Sequence, residues 1–420
     1  MKTFATSVSL VALGTSVLSA VDTSVLNSQQ SSKPWSVSAS LRGFYDSNIN
    51  SSPSGLAQES AGFEISPTLN YGLVGEQTSV NFGYLLSAKW YDNPYSTWSD
   101  PWELTQTMEA ALSHTFSPRV EVSMKDSFVI GQEPDTLQVA NTPFATSQFV
   151  SGDNKRNYAT ITLSLQATSL LGFSLGYGNT IYNYADSGPG SNSAMLDRME
   201  NAFHLDSRWN LRPQTIGIIG YMFNYTDYTG NQFLGLPAAP PTPMSDSKNS
   251  LGNTVYAGAE HNFTPDISGR LTAGAQFYDY FNQPTTNTKI SPYVQGSLRY
   301  MYRATSSLEA GVSLMRSPTD AVQGGGNTAS LDAESLVVYA AWVHEILPRL
   351  FSNVNGSFQQ QRFYGGALDG TDGFYYRVGA SLAYEFTKHV SASVGYNWDQ
   401  STDWQPYNRN RVYIGLTAAY

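Results

Sequence analysis

The sequence predicts an all-β fold, a transmembrane antiparallel up-and-down β-barrel of about 18 strands. Three observations predict it: apolar and polar residues alternate over long runs, the connections between those runs alternate between short and long, and charged residues are scarce. Only 13% of the 420 residues are charged, against about a quarter in soluble proteins, yet the mean hydropathy is only -0.29. A chain combines these properties when lipid-facing and water-facing residues alternate along each strand, as they do in a membrane barrel.

The N-terminal residues 1–20 are expected to be a signal peptide that is not part of the folded domain. Lys2 precedes an apolar run from Phe4 to Leu18, which is too short to cross a bilayer and is followed by small residues. Cleavage after Ser19 and cleavage after Ala20 both fit this pattern. No later stretch approaches the roughly 18 apolar residues of a transmembrane helix. The predicted organisation is a signal peptide over 1–20, a short periplasmic segment over 21–34 and an outer-membrane barrel over 35–420.

Alternation with a period of two is clearest in three segments, residues 63–71, 80–90 and 374–386. Each segment places apolar side chains at every second position and polar or small side chains between them, with Leu85 as the exception in the second segment. Each run has about the length that a tilted strand needs to cross a bilayer. These segments are therefore predicted to be transmembrane strands.

The connections between such runs alternate between short turns and longer polar loops. The short turns are expected near 74–76, 117–119, 168–169, 211–213, 264–266, 304–305, 347–349 and 387–388. The long loops are expected at 46–58, 92–101, 132–153, 186–194, 226–248, 282–289, 318–329, 364–371 and 400–408. Short periplasmic turns and long external loops are typical of bacterial barrels, and counting strands between them gives about eighteen, with both termini periplasmic. A soluble propeller repeats at a similar spacing, but it packs four short strands into each repeat.

Two local patterns support these units. Residues 114–118, 261–265 and 344–348 each begin with a histidine and end with a proline, and each closes a strand in the same way. The last eight residues alternate and end on an aromatic side chain, Tyr420. Tyr413, Gly415 and Tyr420 match the terminal signal through which the barrel-assembly machinery recognises outer-membrane proteins, although Ala418 is smaller than the usual residue there.

The opening strand at 41–49, the strand-closing turns and the final strand together resemble the β-barrel porins of the outer membrane. That family is often associated with exopolysaccharide systems. The resemblance covers the whole mature chain and rests on architectural motifs. It implies a location in the bacterial outer membrane, a link to polysaccharide and no catalytic residues.

Charged residues at the positions between the lipid-facing ones are expected to line the lumen. The lumen-lining candidates are Arg42, Glu64, Lys89, Glu109, Lys125, Glu200, His204, Asp206, Arg208, Arg270, Arg299, Arg377 and Arg411. A lipid-facing lysine or arginine costs roughly 2–4 kcal/mol at the membrane midplane, which drives charge inward. Two interpretations stay open: these residues brace the barrel wall, or they form a lining that selects solutes.

Five carboxylates are expected near the periplasmic turns and predict an acidic mouth: Glu121, Glu260, Glu309, Glu345 and Glu385. A mild cation preference follows as a hypothesis, and Arg270 and Arg299 at similar depth would oppose it. Asp126 is the exception to the pattern, because alternation places it on the lipid face between Met124 and Phe128. Either a β-bulge turns it inward, or it lies near the outer interface.

Aromatic residues cluster near the predicted outer ends of strands: Trp90, Tyr91, Tyr95, Trp98, Trp102, Trp398, Trp404 and Tyr407. One interpretation is a girdle of amphipathic rings at the level of the lipid headgroups. The other is a set of platforms at the outer mouth that stack on a sugar.

The sequence predicts no enzyme, and no catalytic, cofactor-binding or metal-binding residues. His204 lies beside Glu200, Asp206 and Arg208 on the lumen face, where an ion-paired wall patch competes with a general-base site. The histidines and carboxylates lack the spacing of zinc or EF-hand calcium sites, and nucleotide-binding loops are likewise missing from the sequence. The net charge of -10 argues against a nucleic-acid partner.

The expected function is passive or facilitated passage of small hydrophilic solutes, with saccharides as one candidate class. The alternative is a non-conducting barrel that anchors or scaffolds surface and exopolysaccharide machinery, and a barrel-embedded hydrolase is a third class. The expected partners are outer-membrane lipid, the barrel-assembly machinery and the solutes, and a homo-oligomer is left open.

Overall fold

The computed structural model describes residues 34–94, 100–132, 152–236, 238, 242–282, 288–319, 330–402 and 406–420. The expected signal peptide and nearly all of the segment 21–34 lie outside the described residues. The same holds for Tyr95, Trp98 and Trp404.

Eighteen strands form one closed antiparallel sheet, which confirms the predicted fold class. The strands are β1 (Trp35–Asp46), β2 (Ser60–Val74), β3 (Thr78–Tyr91), β4 (Trp102–Ser117), β5 (Val120–Gly131), β6 (Asn154–Gln166), β7 (Leu171–Tyr184), β8 (Arg198–Arg212), β9 (Thr215–Tyr228), β10 (Ser250–Asn262), β11 (Ile267–Tyr280), β12 (Lys289–Arg303), β13 (Ser306–Pro318), β14 (Asp332–Leu347), β15 (Leu350–Tyr364), β16 (Asp372–Thr387), β17 (Val390–Ser401) and β18 (Tyr407–Ala419). Each pairs with its neighbours in chain order, and β1 pairs with β18 from Ser38–Ala419 to Asp46–Arg411.

The connections alternate in length as predicted, and both described termini lie at the end with the short turns. Some boundaries differ by a few residues; for example, β9 continues through Tyr228, inside the predicted loop 226–248. The described parts of the long connections hold one short helix, α1 (Asn192–Leu196), and two 3-10 helices, Ser245–Lys248 and Gly366–Leu368. No helix among the described residues is long and apolar enough to cross a membrane.

Side-chain exposure follows the period of two and separates an apolar outer face from a polar inner face. In β1, Val37, Leu41 and Tyr45 are exposed, whereas Ser40 and Asp46 are buried. The same pattern leaves large apolar side chains exposed on strands around the whole barrel. So extensive an apolar surface would be unfavourable in water, and it matches the lipid-facing band of a transmembrane barrel.

Inside the barrel, tyrosine rings cover glycines on the neighbouring strand. Tyr413 faces the lumen opposite Gly395, and a Cβ atom at Gly395 would lie 2.4 Å from the ring. Tyr256 covers Gly220 in the same way. Gly415 serves a related purpose, because a Cβ there would lie 2.7 Å from Cγ of Arg42. Two residues of the predicted terminal signal therefore also pack the inner wall.

Asp126 faces outward, so the predicted alternative of a β-bulge that turns it inward is wrong. Its strand pairs with β4 and β6 without a register shift at this position. The side chain is exposed, and Asn157 Nδ2 donates a hydrogen bond of 2.9 Å to Asp126 Oδ1. One neutral amide only partly replaces the hydration that a carboxylate loses next to lipid.

Filling the space under Tyr413 is expected to destabilise the barrel. Gly395→Val should lower the free energy of unfolding by about 1–3 kcal/mol, because the ring has to move. Gly43→Val is the control, since nothing lies within 4 Å of a Cβ at that outward position. Urea unfolding of the barrel in lipid vesicles measures both variants, and equal stabilities would contradict the packing role.

Removing the outward carboxylate is expected to stabilise the protein. Asp126→Ala should raise the free energy of unfolding in vesicles by about 1–2 kcal/mol, because a charge facing lipid is unfavourable. Asp266→Ala, in an exposed periplasmic turn, is the control and should have little effect. A loss of stability in Asp126→Ala would show that the carboxylate has a stabilising partner outside the barrel.

Candidate functional site

The candidate functional site is the barrel lumen, and its first element is a row of alternating charges across β1 to β4. Arg42, Glu64, Lys89 and Glu103 are direct cross-strand neighbours on the inner face. Arg42 Nη1 lies 3.9 Å from Glu64 Oε2, and Lys89 Nζ lies 3.7 Å from Glu103 Oε1. Ser87 Oγ also donates to Glu64 at 2.6 Å. The row is neutral overall, so it braces the wall without a large net field.

The second element is an ion cluster toward the periplasmic end of β8, β10 and β11. Arg208 forms a two-pronged pair with Glu260, with N–O distances of 3.0 and 2.5 Å. Arg270 lies 3.2 Å from Glu260 and 3.8 Å from Asp206, whose carboxylate accepts a 2.5 Å hydrogen bond from Tyr256. Two arginines therefore compensate Glu260, which weakens its contribution to the predicted acidic mouth.

The residues predicted to form a group with His204 contact different partners. The His204 ring covers Gly176, where a Cβ would meet its Cε1 atom at 1.8 Å. Glu200 accepts a 2.7 Å hydrogen bond from Arg198, and Asp206 bonds to Tyr256. This division favours the wall patch over a general-base site. Among the described residues, no group of three or more histidine, aspartate or glutamate side chains could hold a metal ion.

The remaining candidates also lie on inward positions, with varied partners. Arg299 lies opposite Glu309, Arg377 opposite Asp399, and Arg411 Nη2 lies 2.7 Å from Asp399. The partners of the other mouth acids are hydroxyl groups: Ser113 for Glu121, Tyr339 for Glu309 and Thr305 for Glu345. Glu109 and Lys125 are exposed on the inner wall, and Glu385 lies half-buried near the β16–β17 turn.

A buried ion pair lies across the seam between the first and last strands. Arg409 Nε lies 3.0 and 2.9 Å from the two carboxylate oxygens of Asp46, and its Nη2 lies 2.6 Å from Oδ2. Both side chains are at most 9% exposed. Sequence analysis missed this pair, as it missed Glu103. The alternation of inward and outward positions was the available signal. Asp46 lies an even number of residues from the inward Arg42, and Arg409 lies an even number of residues from the inward Arg411.

The extracellular end of the lumen holds a buried network that sequence analysis did not predict. Lys248 is fully buried, with its Nζ atom 4.4 Å from the centre of the Tyr228 ring. Its ammonium group donates to the carbonyl oxygens of Met195 at 3.1 Å and Thr319 at 3.4 Å. Because Lys248 precedes β10 and Thr319 follows β13, this contact passes over two intervening strands.

The extracellular ends of β13 and β14 reach the same region. Pairing of β12 with β13 ends at Leu314, after which the Arg316 backbone N–H donates to Gln276 of β11 at 2.7 Å. Arg316 Nε lies 2.5 Å from Asp332, which also accepts a hydrogen bond from Tyr280 of β11. These contacts bypass β12, so the extracellular ends of β13 and β14 lie against β11.

Asp197, in the connection before β8, fixes the helix α1 to the end of β7. Its carboxylate accepts the Tyr184 backbone N–H at 2.7 Å and the Ser193 hydroxyl at 2.6 Å. Burial raises the pKa of the Asp197 carboxyl, while these two hydrogen bonds act in the opposite direction. Leu196 of α1 packs with Tyr184 and Leu234 in a small apolar cluster.

The predicted aromatic cluster is divided between the two faces. Trp90 and Trp102 face outward and pack against Phe63 with ring-centre distances of 5.3 and 5.7 Å, as an interfacial girdle would. Trp398 also faces outward. Tyr91 and Tyr407 face the lumen, so the girdle interpretation is wrong for them; Tyr91 donates to Glu103 at 2.8 Å.

No protein-family model and no curated protein matches the chain. Solved outer-membrane proteins overlap with it at low similarity. The outer membrane protein OpdK from Pseudomonas aeruginosa has a TM-score of 0.47 and 10% identity, covering 92% of this chain and 99% of that one. OccAB2 from Acinetobacter baumannii has a TM-score of 0.46 and 12% identity, covering 92% and 98%. The FrpB iron transporter from Neisseria meningitidis has a TM-score of 0.47 and 9% identity, covering 92% and 82%.

These overlaps are too low to carry an assignment, and the location follows from the barrel itself. An even number of antiparallel strands, an apolar outer face and short turns at the end with both termini are the architecture of bacterial outer-membrane proteins. The chain is an outer-membrane β-barrel.

Breaking the seam ion pair is expected to be strongly destabilising. Asp46→Ala should lower the free energy of unfolding by about 3–5 kcal/mol, because Arg409 would stay buried without its carboxylate. Glu109→Ala, at an exposed position of the inner wall, is the control and should cost less than about 1 kcal/mol. The double variant Asp46→Ala with Arg409→Met should recover part of the loss in urea unfolding; no recovery would contradict this explanation.

Proposed function

We propose that the barrel is an outer-membrane channel for passive or facilitated passage of small hydrophilic solutes, with saccharides as the favoured class. The observation that supports this most directly is the set of side chains that line the inner wall of β2 to β6. Its periplasmic half is lined by small or charged groups, and Asn81, Glu109, Lys125 and Ser164 are exposed on it. Exposed polar groups on a lumen wall provide hydrogen bonds for a solute that has lost part of its water.

Compensation of charge in the lumen favours neutral polar solutes over ions. Arginine and lysine side chains on the inner wall are paired with carboxylates in the β1–β4 row and in the Glu260 cluster. Such pairs offer donors and acceptors while their opposite charges largely cancel at a distance. Glu121 and Glu345 bond to hydroxyl groups and remain as acids near the periplasmic turns, whereas Glu309 faces Arg299 and Glu385 lies near Arg349, so we expect only a weak cation preference.

Inward aromatic rings support the choice of saccharides. Phe44 and Tyr91 lie edge to face on the inner wall near the extracellular end, with ring centres 5.3 Å apart. Tyr375 and Tyr407 form a second pair, with centres 6.5 Å apart, on the neighbouring part of the mouth; Tyr375 is buried, so the half-buried Tyr407 ring is the one that a solute can reach. Aromatic faces present an apolar surface beside a polar group, which suits the C–H face and the hydroxyl edge of a sugar.

A second candidate function is a closed barrel that anchors or scaffolds machinery for surface polysaccharides. The buried network at the extracellular mouth is the observation that favours it. Lys248 and Arg198 are almost completely shielded from solvent, and the contacts of Lys248 join loops from non-adjacent strands. A mouth closed in this way would hold the barrel shut. We propose the channel first, because the exposed polar wall of β2 to β6 has no evident purpose in a closed scaffold.

Assembly through the last strand is part of the proposal. Tyr413 and Gly415 pack inside the wall, whereas Tyr420 is 68% exposed at the periplasmic end, with its ring centre 5.8 Å from that of Trp35. An exposed terminal aromatic residue next to an unpaired strand edge would be available to the assembly machinery before β1 closes on it.

Single-channel recording of the refolded protein in planar bilayers is the test of this function. We expect stable conductance steps and, under a salt gradient, a weak cation preference. Saccharides added to one side should reduce the ion current in a concentration-dependent manner. Silence from protein that is verified as folded would overturn the channel and favour the scaffold.

Loosening the extracellular mouth is expected to increase conductance. Lys248→Met removes the hydrogen bonds to Met195 and Thr319 while keeping similar bulk, so larger steps or a higher open fraction should follow. Lys155→Met, on the outer face at the same end of the barrel, is the matched control. Identical recordings from the wild type and both variants would show that this network does not restrict the path.

A further inference from the structure

The connections at the two ends of the barrel carry opposite net charge. We counted each connection together with the strand residue on either side of it. The long-loop end then has fifteen acidic residues and three basic ones, and the short-turn end has two acidic residues and five basic ones. The five are Arg119, Arg212, Arg303, Arg349 and Lys388, and all are exposed. A net positive rim at the periplasmic end lies where phospholipid headgroups meet the protein.

The strand-closing histidines give this rim a repeated geometry. His114, His261 and His344 lie on the outer face, and each accepts or donates a hydrogen bond through Nδ1. The partners are Thr78 Oγ1 at 2.7 Å, Thr215 Oγ1 at 2.8 Å and Tyr302 Oη at 2.9 Å, respectively. An imidazole held at Nδ1 presents its other nitrogen, Nε2, away from that partner.

Each histidine also packs against an outward aromatic ring at the lower edge of the apolar band. His114 lies 4.3 Å from Phe116 and His261 lies 4.6 Å from Phe263 between ring centres, and His344 stacks on Trp342 at 5.1 Å. Phe116 and Phe263 are 62% and 58% exposed, so they are the last lipid-facing groups before the turn. The turn residues begin within about 10 Å of them along the chain, at the level of the headgroups.

Two of the three repeats carry an arginine five positions after the histidine. Arg119 follows His114 and Arg349 follows His344, whereas Asp266 follows His261. Arg349 has a φ of 72°, a conformation that glycine or asparagine adopts more readily. Among the described residues, its guanidinium group makes one long hydrogen bond, of 3.4 Å to the Phe386 carbonyl, and Glu385 is its neighbouring acid. Turn geometry alone therefore does not explain an arginine at this position.

Charge is also separated across the wall at these turns. Glu121 and Glu345 lie on inward positions and bond to the hydroxyl groups of Ser113 and of the turn residue Thr305, while the histidines of the same two hairpins face the lipid. The acids thus face the water of the lumen, and a donor group faces the membrane. A site that combines a guanidinium, an imidazole nitrogen and an apolar rim matches a phosphate ester attached to acyl chains.

We propose that the His114–Arg119 and His344–Arg349 hairpins each bind the phosphate headgroup of a phospholipid in the periplasmic leaflet. The arginine contacts the phosphate oxygens and the histidine Nε2 donates to the same group. The exposed apolar side chains above it contact the acyl chains. The His261–Asp266 hairpin has the same spacing and the same histidine contacts without the cation, and it does not form such a site.

The third hairpin provides the control for a binding experiment on the full refolded barrel. Native mass spectrometry counts bound phosphatidylglycerol and, in parallel, diacylglycerol with the same chains and no phosphate. The loss variants are Arg119→Gln and Arg349→Asn, alone and combined; Asp266→Asn is the neutral control and Asp266→Arg the gain variant. Each arginine contributes about a fivefold change in affinity for an anionic lipid, so each lost site should bind about fivefold more weakly.

The expected result is that two phosphatidylglycerol molecules bind the double variant about fivefold more weakly, that Asp266→Arg gains one bound molecule, and that Asp266→Asn matches the wild type. Diacylglycerol binding should stay unchanged in every variant. The proposal is overturned if the double variant binds phosphatidylglycerol like the wild type, or if the wild type does not prefer it to diacylglycerol. Heat-dependent electrophoretic mobility checks that each variant is folded. Because the turns are independent of one another, Arg119→Gln alone or Asp266→Arg alone is a sufficient test.

Discussion

The requirement that every backbone N–H and C=O group inside a bilayer be bonded within the protein governs this structure. A sheet meets that requirement only if its two edges pair, and here β1 and β18 pair along nine residue pairs from Ser38–Ala419 to Asp46–Arg411. The seam is reinforced by the buried Arg409–Asp46 ion pair and by Arg42, which crosses the space left at Gly415. Closure fixes the register of all eighteen strands, and the register decides which side chains meet lipid and which meet the lumen.

Once the register is fixed, charge is sorted by the cost of facing lipid. Most charged strand residues lie inward, where neighbouring strands supply the opposite charge, as in the row from Arg42 to Glu103. Asp126, in the middle of β5, is an exception and has Asn157 as its outward partner. At the extracellular end the pattern changes, because β13 and β14 reach the inner face of β11 and Lys248 joins loops of distant strands. The wall and the mouth are therefore built on different principles, the first on register and the second on loop packing.

This difference explains how much of the molecule could be predicted from sequence. Alternation is local, so the number of strands, the short turns and the inward position of residues such as Arg208 followed from it. The inward positions of Asp46, Arg409 and Glu103 follow from the same alternation. The pairing of Glu260 with two arginines could not be predicted from alternation, because Arg208 comes from β8, which is not a neighbour of β10. The contacts of Lys248 and Arg316 could not be predicted from periodicity. Lys248 donates to backbone carbonyl groups of loops, and Arg316 lies at the end of β13, where this strand no longer pairs with β12.

Because the first and the last strand pair with each other, the barrel closes only when the last strand is present. A nascent or truncated chain that lacks β18 has two open edges, one on β1 and one on β17, however well the strands between them have paired. Such a chain exposes backbone groups that hydrocarbon does not satisfy and that proteases or other chains recognise as an extended strand. Only a chain that includes β18 pairs both edges. A chain that lacks the last dozen or so residues through a translation error keeps these edges unpaired, because its barrel cannot close.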